Sequence, residues 1–184
     1  TGPIYTSNTW SEKKVYVILS YTGSDTSGIN HYESSSNGTT WSKMSSNILV
    51  VDKEGITNLY FRAVDKAGNT SDSTGQYIVK VDTVKPDIPT MKYEKSKSKK
   101  SYTPGSWSNE SVNVTMSYSG IDTSGIDHYE ISIDGSTWKE YSSFVANDGD
   151  KTYRFRAVDK AGNIGTISNN VSIKVDTFTP APPK

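Results

Sequence analysis

Two histidines are the whole supply of imidazole in this chain, and each has a glutamate two positions on: His31 with Glu33, and His128 with Glu130. On a strand that spacing puts both side chains on one face, where they could work as acid and base or as two metal ligands. Two ligands are too few for a metal centre, and nothing nearby in the sequence completes a set. Serines are plentiful, but neither histidine has an evident serine and aspartate partner for nucleophilic catalysis. No Gly-rich phosphate loop, nucleophile elbow or zinc signature is present. The chain has no cysteine, which excludes disulfides, thiolate metal sites and a cysteine nucleophile. The expectation is a chain that is not an enzyme. Two other residue sets remain: four tryptophans, whose flat rings could stack on a sugar, and several loop aspartates, whose oxygens suit Ca²⁺.

The 184 residues allow one large or two small domains. Twenty basic residues balance 20 acidic ones, so no general field draws the chain to nucleic acid or to a membrane surface. The one charge block, "KSKSKK" from Lys95 to Lys100, reads as a solvated loop. No apolar stretch approaches the length of a membrane span. No signal peptide heads the sequence, and its abrupt ends read as those of a piece of something longer. Hydrophobic content is low while Tyr, Val, Ile, Thr and Ser abound, which favours strands with one wet face.

The strongest feature is a repeat. "FRAVDKAGN" occurs from Phe61 to Asn69 and again, letter for letter, from Phe155 to Asn163. Trp10 matches Trp107, Tyr21 matches Tyr118, "DTSGINHYE" matches "DTSGIDHYE", and Trp41 matches Trp138, all at an offset of 97. After Trp138 the second copy is three residues shorter, and an offset of 94 holds to "KVDT" at Lys80 and Lys174. Such an indel belongs in a loop, because the register on either side survives.

The periods are those of strands. "VNVTMSY" sets Val112, Val114, Met116 and Tyr118 on one side and Asn113, Thr115 and Ser117 on the other. By the same alternation "YEISI" turns Tyr129, Ile131 and Ile133 inward, "YRFRA" turns Tyr153, Phe155 and Ala157 inward, and "VSIKV" turns Val171, Ile173 and Val175 inward. Asn37-Gly38 and Asp134-Gly135 supply tight hairpins that tolerate positive φ. No helical period appears. Short alternating strands with regular turn signals predict antiparallel β-sandwiches, one per copy. Glu33 and Arg62, like Glu130 and Arg156, then share outward parity on neighbouring strands, as cross-strand ion pairs worth under about 1 kcal/mol each when exposed. The tryptophans are expected to cover the open edge of a small core. In FRAVDKAGN the phenylalanine and first alanine are core, Gly68 and Gly162 take positive φ, and Asp65 and Asp159 accept N–H groups across the turn.

Trp before the first alternating strand, Ser-Gly-Ile before the third, an Asp-Gly hairpin then Trp, Ala-Val-Asp-x-Ala-Gly-Asn, and Val-Asp-Thr-x-x-Pro as a linker together resemble the bacterial immunoglobulin-like repeats. Those repeats are close to fibronectin type III in architecture and stand in tandem in large secreted or wall-attached proteins, especially of Gram-positive bacteria. The resemblance covers both copies and implies an all-β chain of two sandwiches. Residues 1–82 would be the first repeat, 83–89 a linker, 90–177 the second repeat, and 178–184 the start of another linker. The first copy departs from the pattern: Ser34 and Ser36 stand where the second has Ile131 and Ile133, and "PTMKYE" (Pro89 to Glu94), the expected first strand, has no obvious counterpart, so the first strand of the first repeat is expected to lie outside the 184 residues. In such a sandwich the B–C and F–G loops share one end, which would gather Asp122, Asp159 and the linker's Asp82 at the junction. Some relatives of this repeat type bind Ca²⁺ between domains, so these three are the candidate calcium site, with Asp25 and Asp65 equivalent in the first copy. The alternative is that each aspartate only closes its own turn. No other cofactor is implied.

The functional expectation is a non-catalytic spacer or stalk of an extracellular protein, attached to the wall or secreted. Its prolines in "VDTVKPDIP" would limit bending. Its partners would be neighbouring repeats of the same chain, with no nucleic acid, no membrane insertion and a monomeric state. The alternative is an adhesive module for a host glycan or protein, alone or as an accessory to a secreted enzyme.

Overall fold

The computed structural model describes residues 4–183. The chain divides into two units, Thr1–Val84 and Lys85–Lys184, and among the described residues every regular element is a strand. The first unit holds β1 (Trp10–Ser11), β2 (Val15–Ile18), β3 (Ile29–Ser35), β4 (Ser42–Lys43), β5 (Ile48–Val51), β6 (Gly55–Asp65) and β7 (Tyr77–Val81). Five of these form one sheet in the order β1-β7-β6-β3-β4, and β2 and β5 form the other. The second unit holds β8 (Thr90–Lys95), β9 (Trp107–Ser108), β10 (Val112–Ser117), β11 (Ile126–Ser132), β12 (Lys139–Glu140), β13 (Ser143–Ala146), β14 (Gly149–Asp159) and β15 (Val171–Val175). Its sheets run β9-β15-β14-β11-β12 and β13-β10-β8. Each unit is thus an immunoglobulin-like sandwich. Among the described residues all strand pairings are antiparallel except the short β1 on β7 and β9 on β15, which are parallel.

The alternation sets the core. Val15, Val51, Leu59, Phe61, Val79 and Val81 are buried together in the first unit. Val112, Val114, Met116, Ile131, Tyr153, Phe155, Ile173 and Val175 are buried together in the second. Phe144 and Tyr153 add an aromatic contact, centroids 4.9 Å apart, where the first unit has Leu49 and Leu59.

Three expectations need correction. Ile133 is 73% exposed: strand alternation ends at Ser132, whose buried hydroxyl accepts the Gly135 N–H and so starts the loop one residue early. Neither Asn37-Gly38 nor Asp134-Gly135 forms a two-residue hairpin. Six residues separate β3 from β4 and β11 from β12; only the glycines take positive φ, 76° and 78°, while Asn37 and Asp134 accept the next N–H groups with their side chains. The indel also falls in two places. Met44 and Tyr141 make the same backbone bond, to Tyr32 and Tyr129, and keep the offset of 97. Val51 opposes Val15 and Ala146 opposes Val112, so β5 and β13 stand 95 apart, and β6 and β14 stand 94 apart. Two residues are lost before β13 and one in the hairpin after it.

Beyond Phe61 and Phe155 the last strand of each sandwich is irregular, and hydroxyls replace part of the ladder. Thr74 and Ser168 accept the Phe61 and Phe155 N–H groups through Oγ and donate their own N–H to the same residues' carbonyls. Ser71 does the same for Ala63. Its equivalent is Gly165, whose N–H still donates to Ala157 O. The lost side chain makes room for Pro86, which is fully buried and whose carbonyl accepts the Thr166 N–H. A Cβ on Gly165 would lie 2.7 Å from Ala157 O and 2.9 Å from Pro86 O. Since Ser71 makes the same backbone bond with a side chain present, the obstacle is Pro86. Gly165→Ser, which installs the first unit's residue, is therefore expected to displace the 85–89 segment and cost about 1–3 kcal/mol, read as a lower midpoint in denaturant melts of the full chain. An unchanged midpoint would show that Pro86 is free to shift.

Candidate functional site

The outward faces of β3 and β6, and of β11 and β14, carry the candidate chemistry. Register places Glu33 opposite Arg62 and Glu130 opposite Arg156. Arg62 Nε donates to Glu33 Oε2 at 2.6 Å, and Arg156 Nε makes the same bond to Glu130. Each guanidinium also lies over an indole, its Cζ 4.4 Å from the Trp41 centroid and 4.0 Å from the Trp138 centroid. His31 Nε2 and His128 Nε2 approach the second oxygens of Glu33 and Glu130, at 3.6 and 3.8 Å. The pairs expected to be exposed are mostly covered: Arg156 and Glu130 retain 15% and 18% of their side-chain exposure. The indole does the covering, so Trp41 and Trp138 serve the outer face, and no tryptophan belongs to either buried core cluster. Trp10 and Trp107 lie beside Lys80 and Lys174, and Trp107 is 62% exposed.

This arrangement spends its carboxylate on the arginine. Among the described residues, no cluster of three metal-ligating groups includes either histidine. The two copies differ at one place. His128 Nδ1 meets Asp127 Oδ2 at 2.8 Å, whereas in the first unit the neighbour is Asn30 and His31 Nδ1 is buried without a partner.

The aspartates sit in loops, as expected. In the second unit Asp122 Oδ1 accepts the Gly125 N–H at 2.7 Å, and Asp159 accepts from Ala161 N, Asn163 N and Asn163 Nδ2. The loops of Asp122 and Asp159 share one end of that sandwich, and the two carboxylates come within 4.8 Å of each other. In the first unit Asp25 and Asp65 repeat these bonds with Gly28 and Asn69. The Asn69 side-chain amide, ahead of its backbone N–H, holds the Asp65 carboxyl below the ordinary range. The Thr137 and Ser136 N–H groups depress Asp134 further. Asp82 is buried at the end of the first unit; its N–H donates to Ser11 O and its Oδ1 accepts the Val84 N–H. Asp176 repeats this with Ser108 and Phe178. Each aspartate therefore closes a turn of its own. Gly68 and Gly162 have φ of 95° and 94°, as the FRAVDKAGN turns require.

Two recurrent fastenings escaped the sequence reading. The Tyr5 and Tyr102 hydroxyls accept the Lys80 and Lys174 N–H groups and donate to Thr9 O and Ser106 O. The threonines of the two "KVDT" motifs, Thr83 and Thr177, donate to Glu54 and Asp148. Both follow from the offsets of 97 and 94, which pair Tyr5 with Tyr102 and Glu54 with Asp148.

No family model matches the chain, and no curated protein matches it. Among solved structures it is similar to the fibronectin(III)-like modules of Clostridium thermocellum CbhA, at 18% identity and a TM-score of 0.43, over 99% of this chain and 96% of that one. It is also similar to the D00-D0 domain of intimin, at 11% identity and a TM-score of 0.37, over 94% of this chain and 96% of that one.

The stack of carboxylate, guanidinium and indole should behave as one unit. Glu130→Ala and Trp138→Ala both act through Arg156, so their combined loss of stability is expected to differ from the sum of the single losses by about 0.5–1 kcal/mol. Urea denaturation of the two single variants and the double variant measures this. Strict additivity would mean that the indole only shields the pair.

Proposed function

We propose that the chain is a non-catalytic spacer, a pair of stalk repeats from a bacterial surface or secreted multidomain protein. The observation that carries this is where the repeated residues go. In each FRAVDKAGN the phenylalanine and alanine are core, the arginine is held by glutamate and tryptophan, the aspartate and asparagine close the turn, and the glycine takes positive φ. Of the polar residues in the verbatim repeat, only Lys66 and Lys160 have no such structural role, and both are exposed. The 85–89 segment is fastened to the second sandwich through Pro86 and through the Asp87 N–H, which donates to the Tyr118 hydroxyl. An entering chain held by bonds and prolines suits a semi-rigid connector. The resemblance to wall-attached repeats adds an extracellular setting, a monomeric state, and neighbouring repeats as partners in place of nucleic acid. No helix among the described residues is long and apolar enough to cross a membrane.

A second reading, an adhesive module, is favoured by Trp107, whose exposed ring borders an open groove with Ser108, Asn109 and Asp176. Glycan arrays and host-protein pull-downs with the full chain separate the two. The spacer is expected to bind nothing specifically. Specific binding that disappears in Trp107→Ala would establish the module instead.

Calcium binding by Asp82, Asp122 and Asp159 remains a proposal, resting on their positions in the sequence and on the approach of Asp122 to Asp159 within the second unit. Asp122→Asn keeps an oxygen for the Gly125 N–H and removes the charge. Millimolar calcium is expected to raise the melting temperature of the parent chain and not of this variant. Identical parent melts in calcium and in chelator would leave the three as turn residues only.

A further inference from the structure

The loops after β3 and β11 are built alike but differ in one functional group. Asn37-Gly38 is the one Asn-Gly pair in the sequence, and its counterpart is Asp134-Gly135. Every other asparagine precedes a residue with a side chain. Glycine permits close approach to its backbone, so Asn-Gly is where a side-chain amide can cyclise onto the following nitrogen.

The groups that such a cyclisation needs are in place around this pair. Ser35 is buried, and its hydroxyl uses its whole bonding capacity, two acceptor sites and one donor. It accepts the Gly38 N–H at 2.9 Å and the Asn37 N–H at 3.2 Å, and donates to Asn37 Oδ1 at 3.0 Å. The hydroxyl thus bridges the nitrogen that would attack and the carbonyl oxygen that would take up charge. That oxygen also accepts the Thr39 and Thr40 N–H groups, at 2.9 and 2.8 Å. Two backbone donors on one carbonyl oxygen are the arrangement of an oxyanion hole. An amide nitrogen attacks through the face of its plane while its N–H lies in the plane, so the bond to Ser35 leaves the attacking lobe free. Asn37 is exposed, which gives water access.

The product has its template in the second unit. Asp134 Oδ1 accepts the Ser132 hydroxyl at 3.0 Å and the Ser136 and Thr137 N–H groups at 2.8 and 2.7 Å, while Ser132 accepts the Gly135 N–H at 2.8 Å. An aspartate therefore sits in the bonds that Asn37 makes, and a charged oxygen strengthens them.

We infer that Asn37 is a self-deamidation site, with Ser35 as proton relay and α-aspartate as product. The bond from Gly38 N to Asn37 Cγ forms as the Gly38 proton passes to Ser35 Oγ and the Ser35 proton to Asn37 Oδ1. The tetrahedral carbon then expels Nδ2 as ammonia, which carries off the hydroxyl proton and leaves a succinimide. Water adds to Cγ, the bond to Gly38 N breaks, and that nitrogen regains a proton. In sum, amide and water become carboxylic acid and ammonia. Opening at the other carbonyl gives an isoaspartyl link, which inserts a methylene into the backbone between the groups that Ser35 and Asn37 hold together. The folded loop selects against it. The inference is independent of the spacer reading, since a reaction made once by the chain on itself is not an enzyme activity.

The test incubates the full chain in neutral buffer and maps its peptides by mass spectrometry that separates α-aspartyl from isoaspartyl products. Residue 37 is expected to deamidate ahead of every other asparagine, with a larger α-aspartyl share in the folded chain than in denaturant. Ser35→Ala is expected to slow the reaction about tenfold or more, and Ser35→Thr, which keeps the hydroxyl, to restore it. Heavy water reads the relay without any substitution: it is expected to slow the folded chain more than the denatured one. Asn37→Asp is expected to melt no lower than the parent. An intact Asn37 while other asparagines react, the same product ratio in folded and denatured chain, an unchanged rate in folded Ser35→Ala, equal slowing by heavy water, or a lower melting temperature for Asn37→Asp would each overturn the proposal.

Discussion

The long strand at the centre of each sandwich, β6 or β14, sets everything else. Its eleven residues are shared: the first five pair with β7 or β15 and the last six with β3 or β11. A strand held along both edges has no freedom of register, and successive side chains must go to opposite faces. Leu59, Phe61 and Ala63 therefore fill one core, and Tyr153, Phe155 and Ala157 the other. Arg62 and Arg156, one position from the phenylalanines, are obliged to come out opposite a glutamate. A slip of one residue would bury the guanidinium and expose the ring. The indole above the arginine adds to this constraint, because it takes the face of the guanidinium that would otherwise be wet.

That strand also explains why so much of the repeat is polar yet ordered. Past the phenylalanine the next strand falls away from regular pairing, and backbone groups of Phe61, Ala63 and Phe155 are met by hydroxyls of Thr74, Ser71 and Ser168. Buried N–H groups have to be paired, and short hydroxyl side chains do this without a continuous strand. The aspartate at the end of each long strand accepts the N–H and amide of the asparagine four residues on. Together these polar residues replace a turn and half a strand.

The sequence made the sandwich legible because period-two alternation reports burial directly: Val112, Val114 and Met116, or Tyr153, Phe155 and Ala157, could be placed by parity alone. It also placed Glu33 and Arg62 on one face, and the loop aspartates in turns. What it concealed had no periodic signal. Ile133 looks inward by parity, but a buried serine ends the strand first. Tryptophan is large and apolar, so it reads as a cover for the open edge of the core; the guanidinium groups of Arg62 and Arg156 instead give Trp41 and Trp138 a partner on the outer face. The role of Gly165 depends on Pro86, some 80 residues away, and no local pattern connects them. The indel looked single because an alignment sees its total, whereas the strand pairings locate its two parts.

The internal repeat gives a further kind of leverage, since two copies of one sandwich obey the same packing rules. Where the copies agree, as along β6 and β14, agreement follows from the fold and needs no function. Where a buried position changes, as from Leu49 and Leu59 to Phe144 and Tyr153, the core refills by a different choice of shapes. The outward face of β2 and β5 falls under neither rule. Asn113, Thr115 and Ser143 show that the fold accepts polar residues there, whereas Tyr16, Ile18 and Ile48 stand 54%, 66% and 43% exposed in their place. The apolar choice at these positions is therefore particular to the first sandwich and is not set by the fold that the two copies share.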